Sequence, residues 1–278
     1  MSGRGTYKGI SAGFSTGALN ALEPGAVFGT DLAAHISLTQ TKYGAKSESH
    51  SAAIGELRAS LLAATHANGT ASSPHPEDKY TQATSFAAVV NGTLPLVIQV
   101  HSADAIAALL RVKSEVESLS PTHSKLRMII HGGAETHLVA PALAAADVPV
   151  VLAPLLAYQQ SWDQRRALTG APLTNGTAVD ALLAAGVLVG IGPNEAWEAR
   201  DLPLMAGVAL ANGQGALNYA EALKLVGGNL YEMLGLKHGA EIEGAGNEEF
   251  VVFEGSPLDI DGRVRAVRNA AGKVDLWV

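Results

Sequence analysis

Two histidines close two apolar runs of this sequence, and their positions define the chemistry to consider first. His101 ends LPLVIQVH (94–101) and His131 ends KLRMIIH (125–131). A neutral imidazole at the end of a buried strand can bind a divalent ion through Nε2 while a partner holds its other nitrogen. It can equally be a histidine that only hydrogen-bonds at the rim of a sheet. A third apolar run, VLVGIG (187–192), is followed by Pro193, Asn194 and Glu195. The amide of Asn194 has no basic site near neutral pH, whereas Glu195 beside it carries a carboxylate. Both residues also fit an ordinary loop. In SWDQRR (161–166), Arg165 and Arg166 offer guanidinium groups suited to an acidic group on a substrate. A structural loop anchored by Trp162 reads equally well. Gly190-Ile191-Gly192 lacks a glycine-rich turn into a helix, which rules out a phosphate cradle.

These residues need strands to carry them, and the sequence between Leu94 and Leu236 supplies a regular alternation. LPLVIQVH, KLRMIIH, VPVVLAP (148–154) and VLVGIG are short, β-branched and apolar, as buried parallel strands are. Between them, DAIAALLRVKSEVESL has helical spacing behind a capping Ser102, and alanine-rich helices are expected near Leu138–Ala146 and Thr177–Ala185. Pro141 must then sit in a first helical turn. Two further helices are expected after VLVGIG, the second opening with Asn218 and Glu221 at capping-box spacing. Strands alternating with helices predict right-handed parallel crossovers and an α/β fold. Before Leu94 the pattern is looser: one or two strands in GAVFGTDLAAHISL, one amphipathic helix in ESHSAAIGELRASLLAATH, and a loop from Ala67 to Asp78. After residue 249 the sequence alternates and carries turn residues, which predicts short antiparallel strands.

Composition narrows the partners. A net charge of −7 argues against nucleic acid or an anionic membrane as the main partner, since both call for basic patches. With 47% hydrophobic and 16% charged residues the chain can bury a sizeable core. No apolar run reaches the length of a membrane span, and MSGRGTYKGISAG lacks the apolar core of a signal peptide. The compartment stays open. The absence of cysteine excludes disulfides and thiolate metal sites. Asn-Gly-Thr triplets at Asn68, Asn91 and Asn175 match the glycosylation pattern but read first as turns.

The segments LPLVIQVHSADAI, LRMIIHGGAETHLVA, VPVVLAPLLA, GVLVGIGPNEAW and EALKLVGGNLYEMLGL, in that order, resemble the later strands of amidohydrolases. The subgroup resembled is that of imidazolonepropionase-like and fungal amidohydrolase-related proteins. The tail DGRVRAVRNAAGKVDLW resembles the end of that family's small composite β domain. The resemblance runs over residues 8–278. It implies a (β/α)8 barrel that is incomplete here, because the stretch before Leu94 has room for only two or three units at ~30 residues each. Residues 1–236 would form this partial barrel and 237–278 a remnant of the composite domain.

The family implies a hydrolase of non-peptide carbon–nitrogen bonds that uses metal-activated water, with one or two divalent ions, often zinc. The resemblance matches His101 to the fifth-strand ligand. Alignment through Glu135 and His137 puts Gly132 in the sixth-strand histidine's place and His131 one residue early. A one-residue offset turns a strand side chain to the opposite face, so ligation by His131 calls for a bulge. His137 falls on the following helix, outside the ligand set. Asn194 stands where the eighth-strand aspartate belongs, and Glu195 replaces it only if the loop re-aims it. The first-strand His-x-His is absent, and Lys79, the nearest candidate for a fourth-strand lysine, reads as a solvated loop residue. His35, His50, His66, His75, His123 and His238 read as surface or loop residues. Three functions are therefore weighed: an amidohydrolase with a small-molecule substrate, a non-catalytic binding or scaffold protein, and a fragment of a longer enzyme. Open sheet edges would favour a homo-oligomer.

Overall fold

The computed structural model describes residues 6–15, 18–38, 49–67, 79–120, 124–158, 161–213, 215–236, 250–268 and 272–277. A six-stranded sheet organises them. Five strands are parallel in the order β4 (Ala34–Ser37), β5 (Leu96–Val100), β6 (Met128–Gly132), β7 (Val150–Leu152) and β8 (Val189–Ile191), and β1 (Tyr7–Ile10) lies antiparallel beside β4. A two-stranded ribbon pairs β2 (Gly13–Phe14) with β3 (Val27–Gly29). Each parallel crossover carries helix. α1 (His50–Ala67) and α2 (Gln82–Val90) join β4 to β5, α3 (Ala103–Leu119) joins β5 to β6, α4 (Ala140–Ala145) joins β6 to β7, and α5 (Ala178–Ala184) joins β7 to β8. The result is an α/β sheet interleaved with helices that resembles part of a TIM-barrel core.

Strand alternation sorts the side chains into two cores. Ile36, Ile98, Val100, Ile130, Val150, Leu152, Val189 and Ile191 face the crossover helices and meet Leu57, Leu61, Phe86, Ile106, Leu109, Leu143 and Leu182. The opposite face, which would be the inside of a barrel, carries Val97 and Ile129. There they pack against Met233, with Leu230 and Leu234, from α8 (Gly228–Leu234). This helix lies so close to β8 that a Cβ on Gly190 would come within 2.5 Å of Leu230. The glycines of the GIG step are therefore packing residues, and Asn229 donates to the Val189 carbonyl at 2.7 Å.

Helix ends follow the sequence with one exchange. Pro141 sits in the first turn of α4, and α7 (Tyr219–Leu225) begins with the Asn218–Glu221 capping box. Ser102 occupies the N-cap position of α3 but makes no side-chain cap bond. Glu135 caps that helix instead, accepting from the Ala103 amide at 3.1 Å. Among the described residues three helices, not two, follow β8, the first being α6 (Leu202–Asn212). Helix α2 and strands β1 and β2 had no counterpart in the sequence reading. At the C-terminal end β9 (Phe250–Glu254), β10 (Arg263–Arg268) and β11 (Val274–Leu276) form a separate antiparallel sheet, as the alternating pattern predicts. The connection between β9 and β10 reaches back to α6 and α7, where Leu258 packs on Ala206 and Ala222.

Among the described residues no helix is long and apolar enough to cross a membrane. Asn91-Gly92 and Asn175-Gly176 form turns with positive φ at glycine, while the triplet at Asn68 lies outside the described residues.

Candidate functional site

The strand register places His131 level with Gln99, and His101 follows Gln99 by two residues on the same strand. Both histidines therefore project from the face opposite the crossover helices. The expected one-residue offset does not turn His131 away, because the pairing runs Gln99↔His131 and Val100↔Gly132 without a bulge. His35, read from sequence as a surface or loop residue, lies on β4 level with Val97 and thus on this face as well. Ser37, on the same face, donates to Gln99 Oε1 at 3.0 Å.

Burial sets the protonation of these rings. Desolvation, then the neighbouring His35 and His101, pushes His131 down to about 4, so its ring is neutral at ordinary pH. Burial also lowers His101 against a smaller opposing pull from Asp163, and it lowers His35. Neutral imidazole is the form that binds a metal. The ring of His101 passes over Gly132, where a Cβ would stand 2.7 Å from Cε1 and φ is +96°. Only glycine fits both the contact and the backbone there.

The turn after β7 closes over His101. Within the 3-10 turn Trp162–Gln164, the Gln164 amide nitrogen lies 3.4 Å from His101 Nε2, and both side chains are buried. Asp163 bonds His50 Nε2 at 2.9 Å, so His50 is not a surface residue but ties the start of α1 to this turn. Arg166 pairs with the fully buried Glu135, at 3.1 Å from Nε to Oε1 and 2.6 Å from Nη2 to Oε2. The Glu135 amide in turn donates to the His101 carbonyl at 3.0 Å. Burial alone would raise the Glu135 carboxyl, but the Arg166 guanidinium and the amides of Ala103 and Arg166 together hold it below the usual carboxylate range. Arg165 stacks on Trp162 at 4.8 Å and lies 3.8 Å from Glu135. Trp162 is 76% exposed and so does not anchor the loop by burial.

At the end of β8 the Glu198 carboxylate accepts from the amides of Asn194 and Glu195, at 2.7 and 3.3 Å. Asn194 is half-buried and Glu195 exposed at the start of the 3-10 helix Ala196–Asp201. His137 lies in the 3-10 turn Thr136–Val139, Lys79 pairs with Asp31 at 2.8 Å, and His66 is exposed on α1. His75, His123 and His238 lie outside the described residues.

The sequence missed two residues that organise this site, Glu135 and Gln164. Their one signal was a carboxylate and an amide within a few residues of strand ends.

Among the described residues no three histidine, aspartate or glutamate side chains are arranged to hold a metal ion. His101 and His131 are suitable donors, but the third expected ligand is an amide, Asn194. On its own this donor set falls short of a metal centre.

No family model matches the chain. It is similar to the amidohydrolase tasK of Hapsidospora irregularis, with 42% identity over 266 residues. That alignment covers 87% of this chain and 27% of the relative, so the chain spans about a quarter of the length of the curated protein it matches. Among solved structures, an amidohydrolase from Thermotoga maritima MSB8 superposes with a TM-score of 0.66 at 18% identity. It covers 91% of this chain and 64% of that one, which supports a common fold.

Proposed function

We propose that this protein is an amidohydrolase-type hydrolase of non-peptide carbon–nitrogen bonds whose metal centre is incomplete, so that its turnover is weak. The amidohydrolase homology supports the hydrolase reading. The observation that carries the site is the placement of His101 and His131 on one sheet face at the C-terminal ends of adjacent parallel strands, where barrel folds place their chemistry. Both rings are pushed toward the neutral form. In this reading they are the residues that would meet a divalent ion, zinc being suited to imidazole.

Asn194 stands in for the acid. Its amide can orient a carbonyl or a water but cannot take a proton, which is the reason for weak turnover. Glu195, next to it, is the remaining carboxylate for that task and would have to swing in from solvent. Arg165 and Arg166 are the candidates for an acidic group on the substrate, and of the two Arg166 is the more closely paired with Glu135. The test is hydrolysis of a panel of lactams and N-acyl amides with zinc in excess. Slow turnover that vanishes in His101→Ala is the expected result; turnover unchanged in that variant would remove His101 from the site.

A second reading, a non-catalytic relative that binds a small molecule on this face, is favoured by the amide at Asn194. It predicts ligand binding with no turnover in any variant.

A further inference from the structure

We propose that the end of the sheet opposite His101 and His131 carries a separate binding site, a cavity that takes a small zwitterion with an apolar side chain, the chemistry of a free aliphatic amino acid. The loops that enter β6, β7 and β8 meet α8 there and bound a cavity of about 300 Å³. That volume stands at the lower end of the range small-molecule pockets occupy. Its wall is apolar, built from Met128, Ile129, Leu143, Val148, Leu188 and Met233. Met128 and His131 are separated along β6 by about 10 Å of extended strand, so an occupant here is distinct from a substrate at the histidines.

Charge defines the occupant. Lys125, Arg127, Asp147 and Glu232 also line the cavity, and among the described residues none of the four belongs to an ion pair. A purely anionic ligand would face Asp147 and Glu232, and a purely cationic one would face Lys125 and Arg127, each at a cost in repulsion. A ligand that carries both charges satisfies both sets. Lys113 reaches the cavity as well, but Glu117 and the Leu126 carbonyl already take its ammonium. Arg127 is half-buried and makes one hydrogen bond, to the Met233 carbonyl at 3.4 Å. Gly235 gives its guanidinium room, since φ there is +70° and a Cβ would stand 2.5 Å from Nη2. The end of α8 thus positions Arg127 while leaving it donors for a carboxylate, which its planar fork suits. Asp147 and Glu232 are exposed at the rim, where they can accept from an ammonium.

Titration calorimetry of the full chain tests this with three probes of one shape: L-leucine, 4-methylpentanoate, which lacks the ammonium, and isopentylamine, which lacks the carboxylate. Leucine is expected to bind saturably, and each analogue about tenfold more weakly, the loss expected of one charge-assisted hydrogen bond. Arg127→Gln should weaken leucine and 4-methylpentanoate and leave isopentylamine unchanged. Asp147→Asn/Glu232→Gln should do the reverse, weakening leucine and isopentylamine only. This second variant guards against a folding effect in the first, because both side chains are exposed and asparagine suits the positive φ of residue 147. None of these readouts needs turnover, so they stand whether or not hydrolysis is found. Leucine that fails to bind, that binds no more tightly than both analogues, or that binds equally well to wild type and both variants would overturn the proposal.

Discussion

At the scale of single residues, the site is built from groups whose charge state depends on burial. His131, held down to about 4 against a usual value of 6.5, takes up a proton more readily in the unfolded chain than in the folded one. Its contribution is intact above about pH 6.5 and is lost as pH falls toward 4, with a limit of roughly 3 kcal/mol. The urea midpoint of the wild type should therefore fall across that window, and His131→Gln should flatten the fall. Glu135 gives a second prediction. Arg166→Ala removes the close bidentate partner of a buried carboxylate, leaving Arg165 at 3.8 Å, and should destabilise the chain by about 3 kcal/mol. Adding Glu135→Gln should restore part of that loss, because the neutral side chain removes the buried charge. The sequence made His101 and His131 legible because each closes an apolar run. It hid Glu135 and Gln164, since a partnership between residues 31 or 63 positions apart leaves no local pattern.

At the scale of elements, glycines decide how closely layers approach. A methyl group at Gly132 would meet the His101 ring on a backbone with φ +96°, so Gly132→Ala should cost about 1–3 kcal/mol and displace His101. Gly207 on α6 does the same for the β9–β10 connection of the C-terminal sheet, where a Cβ would stand 1.9 Å from the Leu258 carbonyl oxygen. Gly207→Ala should detach that sheet, seen as faster hydrogen exchange in β9 and β10 while β5 and β6 stay protected. The four parallel strands from β5 to β8 were legible from their β-branched runs, and α7 from its capping box. Helix α2 was not, because QATSFAAVV (82–90) is short and mostly small or apolar and so carries little amphipathic contrast. The cap of α3 was misread for another reason: Ser102 has the right side chain in the right place, but a carboxylate from the next crossover takes the amide.

At the scale of the molecule, five parallel strands, crossover helices on one face and α8 against the other give part of a barrel core whose inner face stays partly polar. The alternation of strands and helices made this class legible. The closing of the inner face by Met233 and Leu230 did not follow from it, since a complete barrel would fill that space with side chains from its own strands. The face carries His35, Gln99, His101 and His131, and the account stands on the claim that two of these histidines form an incomplete hydrolytic site lacking its acid. The most direct test is elemental mass spectrometry of zinc retained after dialysis by the wild type, Asn194→Asp and Asn194→Asp/His101→Ala. The account predicts zinc well below one per chain in the wild type, more in Asn194→Asp, and its loss again in the double variant. Stoichiometric zinc held by the wild type and released by His101→Ala would contradict it, because the centre would then be complete without an acid at Asn194.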